Sequence, residues 1–276
     1  MWQFCRVPNN NTPVIIWLAI LAILVFGAIT IGGITRLTNS GLSIVDWQPI
    51  MGVIPPTSEQ DWNDVFEKYK EFPEYKTVNQ GMTLADFKSI YLWEYTHRLL
   101  ARAVAFVFLI PWAFFVIKKR IAGKLNLKLL ILFILGGAQG VLGWYMVKSG
   151  LVDMPRVSHY RLAAHLALAL ALLGATVWQI QNLRYSALTE RATVPPLLRK
   201  LALSFTILLS LQIFYGAMVS GLDAGIGYNT FPKMAGEWVP PYMFILKPLW
   251  RDLFENNTTV QFLHRTFGWL ILFGAA

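Results

Sequence analysis

Long apolar runs alternate with short polar connections along most of this chain. Five runs hold about 20 or more mostly apolar residues, the length that crosses the hydrocarbon core of a bilayer as a helix. A sixth run begins near Thr258 and continues to Ala276. The pattern predicts an all-α fold, a polytopic transmembrane helix bundle with about six helices. The five complete runs are Val14–Thr35, Ile90–Ile117, Leu127–Val147, Ser158–Ile180 and Lys200–Val219.

The composition agrees with a chain whose main partner is the lipid bilayer. Of its 276 residues 55% are hydrophobic and 14% are charged, whereas soluble domains have about 25% charged residues. The net charge of +9 would suggest nucleic-acid binding in a soluble protein. Here Lys and Arg cluster in short loops between apolar runs, a pattern that orients membrane helices. We therefore expect no nucleic-acid partner.

Basic residues mark two of the connections. Residues 118–128 contain five Lys and Arg side chains, and the connection after the fourth run contains four. Short loops rich in Lys and Arg stay in the cytoplasm, so we expect the N-terminus inside and the segments 36–89 and 221–257 outside. Both outer segments are dense in aromatic residues and proline, which predicts ordered loops. A short amphipathic helix is predicted around Asp61–Lys70.

Two stretches of the chain repeat a common pattern. Gly33 and Gly216 each precede a Ser-Gly-Leu sequence and a pair of prolines, and each stretch then leads into a helix with a His-Arg pair. Duplicated halves are common in membrane proteins. We therefore expect a first four-helix half over residues 1–185, with the long outer segment 36–89, and an incomplete second half over residues 186–276. The paired elements are Ser40–Leu42 and Ser220–Leu222, Pro55-Pro56 and Pro240-Pro241, and His97-Arg98 and His264-Arg265.

Histidines carry the candidate chemistry. His97, His165 and His264 are each expected six or seven residues into a helix that starts on the outer side, hence about 10 Å below the outer surface at about 1.5 Å per residue. Two imidazoles at one depth on different helices suit the axial positions of haem iron. A packed histidine without a ligand is the alternative, although ionisable groups in lipid are costly and usually functional. His159 is predicted to be interfacial.

Charged residues accompany these histidines. Glu94 lies three residues before His97, on the same helical face, and is a candidate acid or base. A salt bridge to Arg98 or Arg102 is the alternative. Three arginines next to the histidines could pair with haem propionates or reach lipid phosphates. They are Arg98, Arg161 and Arg265.

The third apolar run contains a cluster of small residues between Gly136 and Gly143. Small residues spaced three and four apart permit close packing of helices. The same cluster could instead leave room for a flat macrocycle.

Six segments of the chain resemble the haem A synthase family. The resemblance implies an eight-helix fold of two four-helix halves that oxidises a methyl group of haem O to the formyl group of haem A, the haem of terminal cytochrome oxidases. The cysteine-free outer segment 36–89 resembles the branch shared by many bacteria and mitochondria. The six segments are Gly32–Ser43, Asp46–Pro49, Glu94–Arg98, Gln139–Leu151, Arg161–Leu166 and His264–Arg265.

The resemblance also implies roles for individual residues. His97 and His165 match the ligands of the substrate haem O, and His264 matches one ligand of a haem b. Glu94 matches the acidic residue of the family's Glu-x-x-His motif, thought to assist catalysis. The family's fourth histidine and its last two helices would follow Ala276.

The family resemblance extends to location and partners. It implies a multi-pass protein of the bacterial inner (plasma) membrane, with haem sites toward the outer side. Haem O synthase and cytochrome oxidase assembly proteins are the implied protein partners.

Two other functions fit the same residues. The chain could be a haem b-binding membrane electron-transfer protein without substrate oxidation, or a transporter whose histidines relay protons. The pigment of the purified protein distinguishes the three, because only a synthase carries haem O and haem A.

Overall fold

The computed structural model describes residues 11–46, 53–152, 155–185 and 193–275. Part of the predicted Asp46–Pro49 segment, from Trp47 onward, lies outside these residues. The described residues form nine α-helices and one short 3-10 helix, Leu249–Arg251, and they contain no β-strand. The helices are α1 Thr12–Leu37, α2 Glu59–Lys70, α3 Pro73–Thr77, α4 Leu84–Ile117, α5 Gly123–Val152, α6 His159–Arg184, α7 Pro196–Gly221, α8 Asp252–Glu255 and α9 Asn257–Ala275.

Five helices in the described part of the chain are long and apolar enough to cross a membrane: α1, α4, α5, α6 and α7. The prediction of an all-α polytopic bundle with five complete spans is therefore confirmed. The sixth apolar run forms α9, which is 19 residues long and is not among the five. Large apolar side chains point outward from the spans, such as Ile23 (70% exposed), Phe26 (62%) and Ile110 (64%). Lipid contact accounts for such exposure.

Helix α4 begins earlier than its apolar run predicts. Thr83 and Asp86 form a capping box, in which the Thr83 hydroxyl accepts from the Asp86 amide and the Asp86 carboxylate accepts from the Thr83 amide. His97 therefore lies more than three turns after Leu84, and its predicted place about seven residues into the helix is wrong. His165 and His264 do lie six and seven residues after the first residues of their helices.

The segment before α4 packs on the extra turns of that helix. Helix α2 starts after a second capping box, between Ser58 and Asp61, which confirms the predicted short helix. An aromatic cluster holds the segment to α4: the rings of Phe66 and Phe87 stack 4.8 Å apart, and Tyr69 and Tyr91 complete the core. This cluster gives the long segment between α1 and α4 a hydrophobic core of its own.

The described chain contains two compact units. The first comprises the described residues within Met1–Trp144 and Leu168–Arg191, and the second comprises those within Tyr145–Ala167 and Ala192–Ala276. In the first, Trp17 of α1 packs on Phe108 and donates a hydrogen bond of 2.7 Å to the carbonyl of Val107. In the second, buried Tyr215, Met218 and Val260 join α7 to α9. The predicted halves 1–185 and 186–276 stay a prediction.

The close helix packing predicted for the third run is not found at Gly136, Gly137 or Gly140. A Cβ atom added at Gly136, Gly137 or Gly140 would meet no atom within 4 Å. Close approach occurs instead at glycines of α1 and α7, where histidine rings lie against the backbone.

Candidate functional site

His97 packs closely against α1. Its Nδ1 is 3.0 Å from the carbonyl oxygen of Ala28, and a Cβ on Gly32 would come within 2.7 Å of its Cε1. A carbonyl can only accept, so this contact requires the hydrogen on Nδ1 and leaves Nε2 with its lone pair available. Metal-binding histidines are commonly oriented in this way, with one ring nitrogen bonded to a carbonyl and the other to the metal. Gly32 is needed because any side chain there would displace the ring.

His264 repeats this arrangement against α7. Its Nδ1 is 3.2 Å from the carbonyl oxygen of Gln212, and a Cβ on Gly216 would come within 3.1 Å of its Cε1. We call the surroundings of His97 the first pocket and those of His264 the second pocket. In each pocket the glycine lies four residues, about one turn, after the residue whose carbonyl binds the histidine. The structural counterpart of Gly216 is therefore Gly32, and the predicted match with Gly33 is wrong by one residue. A Cβ on Gly33 would meet no atom within 4 Å.

Glu94 is buried one turn before His97 and its carboxylate accepts four hydrogen bonds. Oε2 accepts from the Ser43 hydroxyl at 2.7 Å and from the Ile44 amide at 2.8 Å. Oε1 accepts from Arg98 Nε at 3.0 Å and from its Nη2 at 2.6 Å. Arg98 also donates to the Ile44 carbonyl at 2.9 Å. The salt bridge considered as an alternative for Glu94 is thus present within α4. The hydrogen bonds with Ser43 and Ile44 join this helix to the segment after α1.

The second pocket has an amide where the first has this carboxylate. Gln261 lies three residues before His264 and donates through Nε2 to the Tyr228 carbonyl at 2.8 Å. Arg265 donates to the carbonyls of Tyr228 and Thr230, each at 2.6 Å. The Oε1 atom of Gln261 is buried and has no hydrogen-bond partner in the described part of the chain. The arginine of this pocket is therefore held by main-chain carbonyls.

Residues of α6 complete the set of predicted site residues. Arg161 stacks on the ring of Tyr145, with Cζ 3.6 Å from the ring centroid, and donates to the Tyr145 carbonyl at 2.7 Å. His165 follows one turn later on the same helix. His97 and His165 belong to different compact units, so their shared ligation of one haem stays a prediction.

His159 has a packing position. A Cβ on Gly221 would come within 2.5 Å of the His159 Cβ and 2.7 Å of its Cα, so α6 and α7 cross closely at this point. The His159 ring lies 4.2 Å from that of Tyr160, whose hydroxyl donates to Glu255 at 3.1 Å. This environment favours a structural role.

The sequence identified the histidines, Glu94 and the arginines as candidates, but not the groups that contact and orient them. The carbonyls of Ala28 and Gln212 carry no sequence signal, because any residue supplies one. Ser43 and Gly32 did lie within a segment that resembles the haem A synthases, and the exchange of Glu94 for Gln261 was visible from their equal spacing to a histidine.

Together the helices and the duplicated pockets define a multi-pass membrane protein with histidine sites set against glycine-containing helices. The chain belongs to the COX15-CtaA family, described as cytochrome oxidase assembly protein, whose family model matches residues 15–276.

Named relatives support the same assignment. The haem A synthase of Nitrosomonas eutropha is 49% identical over 268 residues, covering 96% of this chain and 75% of its own length. That of Nitrosospira multiformis is 49% identical over 263 residues, covering 94% and 73%. That of Parvibaculum lavamentivorans is 45% identical over 263 residues, covering 95% and 76%. No solved structure matches the chain.

Proposed function

We propose that this protein is a haem A synthase, an oxidoreductase that converts a methyl group of haem O to the formyl group of haem A for cytochrome oxidase biogenesis. The observation that carries the proposal is the orientation of His97, whose Nδ1 is bound to the Ala28 carbonyl while Gly32 admits the ring. The reaction is inferred from the sequence identity of 49% to proteins named haem A synthase.

Both pockets fit a haem on chemical grounds. Each offers an imidazole whose Nε2 keeps its lone pair, which is the atom that ligates iron. In each, the glycine contact and the carbonyl contact fix the ring, so that ligation costs little further ordering. A bound haem supplies the redox chemistry, which no side chain of the protein can perform alone.

The proposed ligand sets follow the family pattern. His97 and His165 hold haem O as the substrate, and His264 holds haem b as the cofactor. Arg98, Arg161 and Arg265 pair with propionates, for which a guanidinium fork is well suited. Their side chains already donate to carbonyl or carboxylate oxygens, so their guanidinium groups are oriented before a haem binds.

Glu94 is the proposed catalytic residue. Its carboxylate is bound by four donors from three residues, and donors of this kind stabilise the carboxylate anion. We therefore assign it the role of a fixed negative charge beside the substrate haem, in preference to a mobile proton acceptor.

The proposed setting is the bacterial inner membrane, with the N-terminus in the cytoplasm and the haem pockets toward the outer side. Haem O synthase and oxidase assembly proteins are the proposed protein partners. The two basic connections support this orientation.

Pigment analysis tests the proposal. The protein is purified from cells that make haem O, and its haems are extracted and separated. We expect haem B together with haem O and haem A, and we expect His97→Ala to lose the haem O and haem A fraction while His159→Asn, a matched histidine variant outside the pockets, retains it. Haem B alone would instead identify an electron-transfer protein, and a colourless protein would favour a transporter.

A further inference from the structure

The two histidine pockets share one framework and differ at one position within it. In both, a histidine binds a carbonyl on the facing helix, a glycine lies one turn beyond that carbonyl, and an arginine follows the histidine. Three residues before the histidine, the first pocket has Glu94 and the second has Gln261. This position decides whether the pocket contains a carboxylate.

The first pocket contains a buried ion pair. Glu94 is 2% exposed, and Arg98 lies 2.6 Å from its Oε1. Ser43 and Ile44 bind the other oxygen, so the carboxylate is held in place from two sides. A fixed anion thus accompanies the cation beside His97.

In the second pocket, the described residues place a cation next to the histidine but no carboxylate at the position equivalent to Glu94. Arg265 donates to the carbonyls of Tyr228, Thr230 and Lys233, which are dipoles and carry no net charge. Gln261 is 5% exposed and neutral, and its buried Oε1 has no hydrogen-bond partner among the described residues. A glutamate would fit the same space, so the amide is not imposed by size.

We infer that the residue three positions before each histidine sets the net charge of its haem pocket, and thereby tunes the two haems to different reduction potentials. Glu94 lowers the potential of the haem at His97, and Gln261 leaves the haem at His264 without a carboxylate at the equivalent position. This inference rests on the proposed function, because it requires a haem in each pocket.

The physical reason is the charge on the iron. Ferric iron carries one more positive charge than ferrous iron, so a nearby carboxylate stabilises the ferric form and a nearby guanidinium disfavours it. In a buried site such interactions are much less screened than in water. Charge and hydrogen bonding around a haem are among the means by which a protein sets its potential.

A reciprocal exchange tests the inference. Glu94→Gln gives the first pocket the Gln-x-x-His-Arg sequence of the second, and Gln261→Glu gives the second the Glu-x-x-His-Arg sequence of the first. The measurement is a spectroscopic redox titration of each haem in the purified full-length protein, from pH 6 to pH 9 so that an introduced carboxyl group is ionised by the end of the range.

We expect shifts of opposite sign. Glu94→Gln raises the potential of the haem at His97 by at least a tenfold change in the ferric-to-ferrous equilibrium, which is 59 mV for a one-electron couple. Gln261→Glu lowers the potential of the haem at His264 by a similar factor at pH 9. Two neutral controls, Ser43→Ala and Gln261→Met, remove a hydrogen bond without changing charge and are expected to shift the potentials less than threefold.

Each outcome decides the inference. Shifts of the same sign, a tenfold shift in one variant only, shifts below tenfold in both, or tenfold shifts in the neutral controls would overturn it. Failure of the proposed function is a separate result, because it appears as absence of haem O and haem A from the unmodified protein before any titration.

Discussion

The α1–α4 pair and the α7–α9 pair hold their histidines in the same way but surround them differently. His97 and His264 each bind a facing carbonyl, at 3.0 and 3.2 Å. The glycine contact is shorter at His97 than at His264. Near His97, the Glu94 carboxylate accepts four hydrogen bonds, two of them from Arg98. Near His264, the amide of Gln261 occupies the position of Glu94, and Arg265 donates to main-chain carbonyls. A shared framework thus orients both histidine rings in the same way, whereas the residues around the two rings differ in charge.

Among the variants considered, removal of the Glu94 carboxylate is expected to have the largest effect on activity and stability. Glu94→Ala leaves Arg98 buried without its carboxylate and frees the Ser43–Ile44 segment, and loss of one partner of a buried ion pair costs about 3–5 kcal/mol. We expect the variant to retain haem, to make haem A at least tenfold more slowly, and to unfold more easily in thermal denaturation. Gln261→Ala, the matched change in the second pocket, is expected to cost less because no charge is stranded. An unchanged haem A yield in Glu94→Ala would remove Glu94 from the mechanism.

The segments that precede α4 and α9 are expected to differ in their response to pH. In the first, burial raises the pKa of Glu74 to about 7, against a hydrogen bond from Tyr69 that lowers it, while Glu94 raises it further and Arg36 lowers it. In the second, burial raises the pKa of Asp252, but hydrogen bonds from Asn256 and from main-chain amides outweigh it and leave the pKa below its usual value.

The sign of each effect follows from these directions. The protonated form of Glu74 is favoured in the fold, so its contribution is complete below its ordinary pKa of 4.5 and is lost as pH rises through about 7. The loss is at most about 3 kcal/mol. Asp252 contributes above its ordinary pKa and loses this only in strong acid.

Hydrogen exchange at pH 5 and pH 8 measures this contrast. After correction for the intrinsic rate, amides near Tyr69 are expected to exchange faster at pH 8, and those at the start of α9 are expected to be unaffected. Glu74→Gln should abolish the pH dependence of the first group. Equal pH responses of the two segments would contradict the assignment.

Substitution of the glycines that contact the histidine rings is expected to reduce haem content by a smaller amount, which depends on how close each contact is. Gly32→Ala places a Cβ 2.7 Å from the His97 ring, and Gly216→Ala places one 3.1 Å from the His264 ring. Overpacking of this kind costs about 1–3 kcal/mol, and the gain in helix propensity is about 1 kcal/mol at most. We expect a net loss of haem from the first pocket, a weaker effect in the second, and none in Gly33→Ala. Thermal denaturation and haem content measure the series, and a Gly33→Ala variant as impaired as Gly32→Ala would refute the proposed contact.

The fold was largely predictable from the sequence, because lipid imposes a simple rule: each span needs a long apolar run. The error at α4 shows where that rule stops. The six residues from Leu84 to Ser89 are polar enough to resemble a loop, yet a Thr83–Asp86 capping box and the aromatic core under α2 make them helical. Hydropathy does not register either interaction.

The site was predictable in its functional groups but not in its geometry. Histidines within apolar spans are candidates for function because ionisable groups are costly in the bilayer. The spacing of Glu94 and Arg98 on one helix indicated their ion pair as an alternative. The hydrogen bonds from Ser43 and Ile44 are long-range contacts that this spacing does not contain. Likewise, Gly32 and Gly33 are equivalent in sequence, and only the facing ring distinguishes them.

The most direct test of the account is the haem content of two single variants, His97→Ala and His264→Ala, purified beside the unmodified full-length protein. If each histidine ligates its own haem, His97→Ala loses the haem O and haem A fraction and retains haem B, and His264→Ala does the reverse. Full haem content of both kinds in either variant would contradict ligation by that histidine, and with it the duplicated pockets on which the account depends.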